Sequence, residues 1–439
     1  MSRSILAVLL GTFSLRFSTG LTGGLLVYYL ADLPQFGGVH VDSTTVGLLT
    51  AGYFVAELAL SPVFGYLSDR YGAHRIMQVG PIFGVVAVLI TAFATDLWIL
   101  GGTRLLEGCA AAASIPSILG YIALATSGDQ SVRGRAVARF EAATLAGIGL
   151  GIVAAGPLFE TLGRGGFLLN AGLYAGSFAI YRWGVAELHH EASDAERAAG
   201  AHHERPTRVD LGRYRRILGS SGVWLLAPTW IALNAVLGAW ATQSVFQLVR
   251  EPPAAFGDQL LMQGFSPTSV SIGFGVVGAI FTAGLWYWGN RFRSLRRTTI
   301  IAVGLAGAMV LLAATLALNH SESWPLVAQV PLVVAAAAGL FVMAGATPAA
   351  LGLLADMSEA HPADRGAIMG LYSVFLGLGQ IVGALLSGIA GDWAGIDGLL
   401  YASVLLIIVA VLPVHRLRAN EHLVGQRSEF VGGLPLIER

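Results

Sequence analysis

Gly65-Tyr66-Leu67-Ser68-Asp69-Arg70-Tyr71-Gly72-Ala73-His74-Arg75 is the stretch whose reading decides the fold. Apolar runs long enough to cross a bilayer flank it, over about 45–67 and 76–95. Between them four charged or titratable residues, Asp69, Arg70, His74 and Arg75, crowd into a turn that Gly65 and Gly72 are expected to mark. A short charged turn between two lipid-compatible helices has to sit at a water interface, and its basic residues point to the cytoplasmic side.

Composition extends that reading to the whole chain. Of 439 residues, 55% are hydrophobic and only 12% charged, about half the charged fraction of a soluble domain. Mean hydropathy is +0.69. All 26 basic residues are arginine, so a Walker A lysine and a Schiff-base lysine are both excluded, and the chain is not itself an ATPase. Net charge is zero, which gives no bulk attraction to nucleic acid. Neither G-x-S-x-G nor H-E-x-x-H occurs, so hydrolase chemistry has no foothold and no enzyme is expected. The histidines lack zinc-site spacing, and the single Cys109 lies in an apolar run as a small packing residue, so neither metal nor disulfide is expected.

Twelve apolar runs of spanning length are present, at about 5–30, 45–67, 76–95, 97–126, 137–161, 166–186, 221–249, 269–289, 298–318, 325–355, 366–390 and 397–415. The first follows Met-Ser-Arg with no convincing cleavage site and reads as a membrane helix. One long polar stretch separates the sixth run from the seventh. The expected organisation is therefore an all-α polytopic protein: a six-helix bundle over 1–187, a cytoplasmic linker over 188–220, a second six-helix bundle over 221–418, and a cytoplasmic tail over 419–439. With both termini inside, only Arg164 and Arg250 fall on the outer side and Arg16 and Arg104 within helices, while the other 22 arginines lie inside. That asymmetry fixes the expected orientation in the cell (inner) membrane.

The two halves repeat. An offset of 232 aligns Pro116 with Pro348, Gly120 with Gly352 and Arg133-Gly134 with Arg365-Gly366. The same offset pairs Gly147, Gly151 and Gly156 with Gly379, Gly383 and Gly388. Small residues shared at such spacing let helix backbones approach closely. Earlier in each half, Asn290-Arg291 is a degenerate echo of Asp69-Arg70 that has lost the carboxylate.

Gly65, Leu67, Asp69, Arg70, Gly72 and Arg75 together resemble the loop signature of the major facilitator superfamily, found between its second and third membrane helices. The resemblance extends along nearly the whole chain. It implies secondary active transport of a small molecule between two bundles that rock about a midplane site, with a proton gradient as the energy source and no cofactor. It also implies that Asp69 meets Arg133 and the helix start at Gly366 as a latch between states. Arg104-Leu-Leu-Glu107-Gly108 resembles a second signature of the family. Gly147, Gly151 and Gly156-Pro157 resemble its antiporter signature, although Leu158, Phe159 and Glu160 stand where Gly-Gly is usual.

Ionisable residues deep in apolar helices default to function. Arg16 and Glu57 fall near the bilayer middle from opposite sides and are expected to be neighbours. Arg104 and Glu107, three apart, share a helix face. Glu57, Glu107 and Glu141, the last expected near the inner end of the fifth helix, are the proton-coupling candidates. The second half offers only neutral polar residues, among them Asn234, Gln243, Gln247 and Gln380, with Trp230, Trp240, Trp286 and Trp288. A charged half facing a neutral, aromatic one suits a lipophilic or amphipathic substrate, and the resemblance with its antiporter-like signature favours proton-coupled efflux of lipophilic, multidrug-type compounds by a monomer in contact with membrane lipid. Proton-linked uptake of an organic anion, sugar or other metabolite is the alternative, and a non-transporting receptor or scaffold a third reading.

Overall fold

The structure is a computed structural model and describes residues 3–126, 130–188, 221–251, 253–293, 295–360 and 365–419. Residues 189–220 of the linker and 420–439 of the tail lie outside it. Every regular element among the described residues is helical. The first half comprises α1 (Arg3–Ala31), α2 (Ser43–Tyr71), the short α3 (Ala73–Ile76), α4 (Val79–Phe93), α5 (Leu97–Ala125), α6 (Gln130–Leu162) and α7 (Gly165–Ala179), which runs on as a π-turn to Gly184. The second comprises α8 (Ser221–Val249), α9 (Pro267–Gly289), α10 (Arg297–Asn319), α11 (Leu326–Met343), α12 (Ala346–Ala360) and α13 (Arg365–Ala419).

Local chemistry sets these boundaries. Asp42 and Asp96 sit one residue ahead of α2 and α5, and their carboxylates accept from Thr45 N at 2.7 Å and from Trp98 and Ile99 N at 2.9 and 3.1 Å. Such N-caps satisfy amides that a helix start leaves without partners. Ser266 with Pro267 does the same for α9. The 55-residue α13 is two helices, broken where Ala394 and Gly395 leave helical geometry. Gly395 takes φ +60 there, a conformation glycine reaches without a Cβ clash. Gln259 serves the broken ladder, donating to Ala394 O at 2.9 Å and accepting from Ile396 N at 3.0 Å.

Nine described helices have the length and apolarity of a membrane span, and α13 supplies two passes. Apolar side chains also cover the outside: Val327, Leu412 and Leu145 are exposed, as lipid in place of water permits. One hydrophobic core lies wholly in the second half, around Trp230, Ile300, Leu400 and Leu417, and another wholly in the first, around Val8, Tyr121 and Tyr174. A third joins the halves at one end, where Tyr28 and Phe159 meet Phe246 and Val270.

That end carries the turns at residues 32–42 and 394–395 and is called here the turn face; the opposite end is the termini face. Hydrogen bonds between the halves gather toward the turn face. Gln243 Nε2 donates to Ser43 O at 2.7 Å and Gln247 Nε2 to Ser43 Oγ at 2.8 Å. Tyr28 Oη meets Ser271 Oγ at 2.9 Å, and Gly156 N donates to the same hydroxyl at 2.9 Å. The glycines of the repeat explain the close approach. A Cβ on Gly151 would lie 2.6 Å from Leu21 N, and one on Gly383 2.9 Å from Ala239 N, so each seats a helix within its own half. A Cβ on Gly156 would press on Pro267 and Ser271, and one on Gly388 would lie 2.8 Å from Ser43 O, both across the halves.

The charged stretch differs from expectation in one respect. Gly65 does not mark a turn: α2 continues helical through Tyr71, and Gly72 alone, at φ +94, reverses the chain. Ser43–Tyr71 is a 29-residue helix, about 43 Å long, so its polar last turns clear the hydrocarbon and need no early break.

Candidate substrate cavity

Arg16 stands midway along α1 and Glu57 midway along α2. At about 1.5 Å per residue both lie roughly 20 Å from their helix ends, which places them at one depth. Glu57 and Glu141 share Arg16 as the cation acting on them. Arg16 itself is buried. The helix that carries Glu141 begins at Gln130 rather than near 137, so this carboxylate is eleven residues in, about 17 Å. It is not near the helix end, as its sequence position implied, and its side chain is exposed.

Gly147 explains how α6 comes alongside Arg16. A Cβ there would lie 2.9 Å from Arg16 Cβ and 3.0 Å from Phe17 N, so only glycine lets the two backbones approach this closely. Gly147 and Gly151 thus bring Glu141 of α6 and Arg16 of α1 to a common wall.

Arg104 and Glu107 pair directly, Nη2 to Oε2, and both are buried, at 7% and 3% exposure. Among the described residues, Arg104 Nε and Glu107 Oε1 have no hydrogen-bond partner. The guanidinium also lies 5.8 Å from the centre of the Tyr53 ring. Tyr53 precedes Glu57 by one helical turn and lies in the fields of Glu57, Arg16, Tyr174 and Arg104. It links the two charge clusters. The sequence reading passed over Tyr53, although its i, i+4 spacing from Glu57 was the available signal. With every group ionised, two arginines and three glutamates leave one negative charge in excess.

The second half contributes neutral groups. Asn234 is buried and donates to Trp230 O at 2.9 Å. Gln380 packs against Gly238, where a Cβ would lie 2.7 Å from its Oε1. Gln243 and Gln247 are spent on Ser43, as described. The tryptophans are largely structural. Trp230 is buried in the second-half core, Trp240 donates to Ser403 Oγ at 2.8 Å, Trp288 donates to Phe341 O at 3.1 Å, and Trp286 is 74% exposed.

At the termini face, Asp69 is exposed and, among the described residues, makes no hydrogen bond or ion pair. The side chain of Arg133 and the surroundings of Gly366, the partners expected from sequence, lie outside what is described. Arg70 stacks 5.4 Å from the centre of the Tyr71 ring, and Arg75 pairs with Glu187 at 3.1 Å within its own half. His74 is buried, with Nε2 3.0 Å from Tyr181 O.

Comparison with known proteins agrees with this architecture. The sequence model of the Major Facilitator Superfamily matches residues 8–340 and 253–438. The quinolone resistance protein NorA of Staphylococcus aureus is 22% identical over 431 residues, 96% of this chain and 99% of that protein. Protein spinster homolog 1 of Xenopus tropicalis is 33% identical over 139 residues, and multidrug resistance protein MdtG of Serratia proteamaculans 32% over 114. Those two matches cover 30% and 26% of this chain, and only 25% and 27% of the respective relatives. Among solved structures, nucleoside transporter NupG superposes with a TM-score of 0.69 at 14% identity, covering 95% of this chain and 99% of that one. Two packed sets of apolar helices, a match along most of the sequence and a shared fold lead to one conclusion: the chain belongs to the major facilitator superfamily and is a membrane transporter of that family.

Proposed function

We propose that the chain is a proton-coupled exporter of lipophilic, drug-like molecules that works by alternating access, with the bundle over 1–187 rocking against that over 221–418. The carrying observation is the placement of Arg16, Glu57 and Glu141: Arg16 and Glu57 lie mid-helix at one depth and both carboxylates lie in the field of Arg16, while the second half offers the neutral amides of Asn234 and Gln380. A membrane-embedded carboxylate beside a cation holds a proton or a positively charged ligand, and binding one weakens the other. That competition couples the two fluxes. The full-length relation to NorA, a quinolone resistance protein, supports export, as does the shorter relation to MdtG.

The competing reading is proton-linked uptake of an organic anion, sugar or other metabolite. It drew on Arg16 and Arg104 as a joint anion clamp. Glu107 neutralises Arg104 from the same helix face, which weighs against that use.

In this proposal the protein is a monomer in the inner membrane with both termini cytoplasmic, and protons are its only co-substrate. The turn face is then the outer one, and the closed turn face describes an inward-facing state. Asp69, exposed here, would engage Arg133 and the start of α13 at Gly366 when the termini face closes.

The test uses purified protein in liposomes, a lipophilic fluorescent cation and an imposed pH gradient. The gradient should drive the dye uphill. Glu57→Gln and Glu141→Gln should each lose that drive while retaining downhill exchange. Wild-type movement indifferent to the gradient, or gradient dependence surviving in both variants, refutes the coupling.

A further inference from the structure

Glu160 and Asp392 lie one turn beyond Gly156 and Gly388, and they are related by the same 232-residue offset that relates those glycines. Each reaches into the other half. Glu160, at the end of α6, accepts from Thr268 N at 3.0 Å and Thr268 Oγ1 at 2.6 Å, at the start of α9. Asp392, in α13, accepts from Ser43 N at 2.7 Å, Thr44 N at 2.8 Å and Thr44 Oγ1 at 2.6 Å, at the start of α2. The two contacts are images of one another under the internal repeat, although the residues in the carboxylate position differ by a methylene.

Helix starts carry free amides and partial positive charge, and a carboxylate bonded there gains both charge and hydrogen-bond energy. The helices' own caps leave room for it. Asp42 takes Thr45 N, and Ser266 takes Ser269 N at 3.2 Å. Asp392 and Glu160 take the amides ahead of those. The glycine one turn earlier supplies the approach, since any side chain at 156 or 388 would hold the opposite helix off. Glycine and carboxylate share one helix face and form a single device: the glycine sets the distance and the acid makes the bond.

We propose that Glu160 and Asp392 are a two-point clasp that holds the turn face shut, and that their release sets how readily this face opens during transport. The proposal rests on the alternating-access reading above. Both bonds span the halves, so both must break when the halves part at this face. They are positioning residues: they lie at the rim, away from Arg16 and Glu57, and act on the conformational balance rather than on substrate or proton. The arrangement also gives the repeat a reason to keep an acid at both positions, in contrast to the termini face, where Asn290 has no carboxylate to match Asp69.

The experiment reads inter-bundle distances by spin labelling of the full chain in lipid nanodiscs, in a Cys109→Ser background. Gln35→Cys with Glu322→Cys spans the turn face, and Tyr71→Cys with Leu295→Cys spans the termini face. Glu160→Gln and Asp392→Asn should each raise the open-to-closed ratio at the turn face about threefold, and the double variant about tenfold. The termini face should close reciprocally, a response that loss of local packing alone would not produce. Thr44→Val and Thr268→Val, which remove only the hydroxyl donors, should give smaller shifts in the same direction and serve if a carboxylate variant does not fold. Wild-type distances in every folded variant, while the wild type still samples both states, overturn the clasp. A wild type whose two faces never vary reciprocally overturns the alternating-access reading itself.

Discussion

Removing Glu107 isolates the energetics of the buried pair. Glu107→Gln leaves the Arg104 guanidinium 7% exposed, without a counter-charge on its own helix and with Nε already lacking a partner among the described residues. Breaking a buried ion pair from one side costs about 3–5 kcal/mol, because the remaining charge stays desolvated. For a bundle of this size that corresponds to a fall in melting temperature of roughly 6–12 °C. The double replacement Arg104→Met with Glu107→Leu keeps volume and removes both charges, so it should recover most of that loss. The native thiol provides the assay. Cys109 is half-buried two residues beyond Glu107 in α5, and a thiol-reactive fluorogenic dye reports its exposure on heating. Transport by the double variant then separates roles: a stable but inactive protein makes the pair functional, and a stable, active one makes it a scaffold. If Glu107→Gln melts with the wild type, or if the double variant is as unstable as the single one, the pair is not desolvated as the structure places it and the reasoning fails.

Three further outcomes follow from the geometry. Asp69→Asn should bias the transporter toward termini-face opening and slow turnover; undiminished transport with unchanged accessibility of the two faces would remove the latch role. Gly47→Leu should prevent closure of the turn face, because even a Cβ at 47 would lie 3.2 Å from Gly388 Cα; the spin-label pair across that face should read open, and a closed distribution contradicts it. Asp32, outside the spans, has its carboxyl pushed up, first by burial and then by Glu251 across the halves. A group whose pKa is raised in the closed state binds its proton more tightly there, so acidifying this side favours closure and raising the pH through that pKa favours opening. Asp32→Asn should flatten that dependence in the same distance measurement, and an unaltered pH profile would exclude Asp32 as its source.

Much of the site was legible because it breaks a local rule. Arg16, Glu57, Arg104 and Glu107 stand out as charges inside apolar runs, and i, i+3 spacing was enough to anticipate the pairing of Arg104 with Glu107. Glu141 was misplaced in depth, because apolarity marks where lipid begins and α6 starts seven residues before the expected run. Gly65 was misread for a related reason, since glycine and nearby charge look like a turn when a polar helix end is equally compatible with water.

The sequence by itself determined the class, the duplication and the asymmetry of charge between the halves. Each of these is written in composition or in a constant offset, and none depends on where a side chain points. Tertiary structure decided which repeated glycines pack within a half and which across it, that Tyr53 bridges the two charge clusters, and that Glu160 and Asp392 bind opposite helix starts. Those are contacts between residues on different helices, far apart along the chain. A helical pattern fixes only the face on which a residue lies; which helix meets that face is set by the packing of the two bundles against each other.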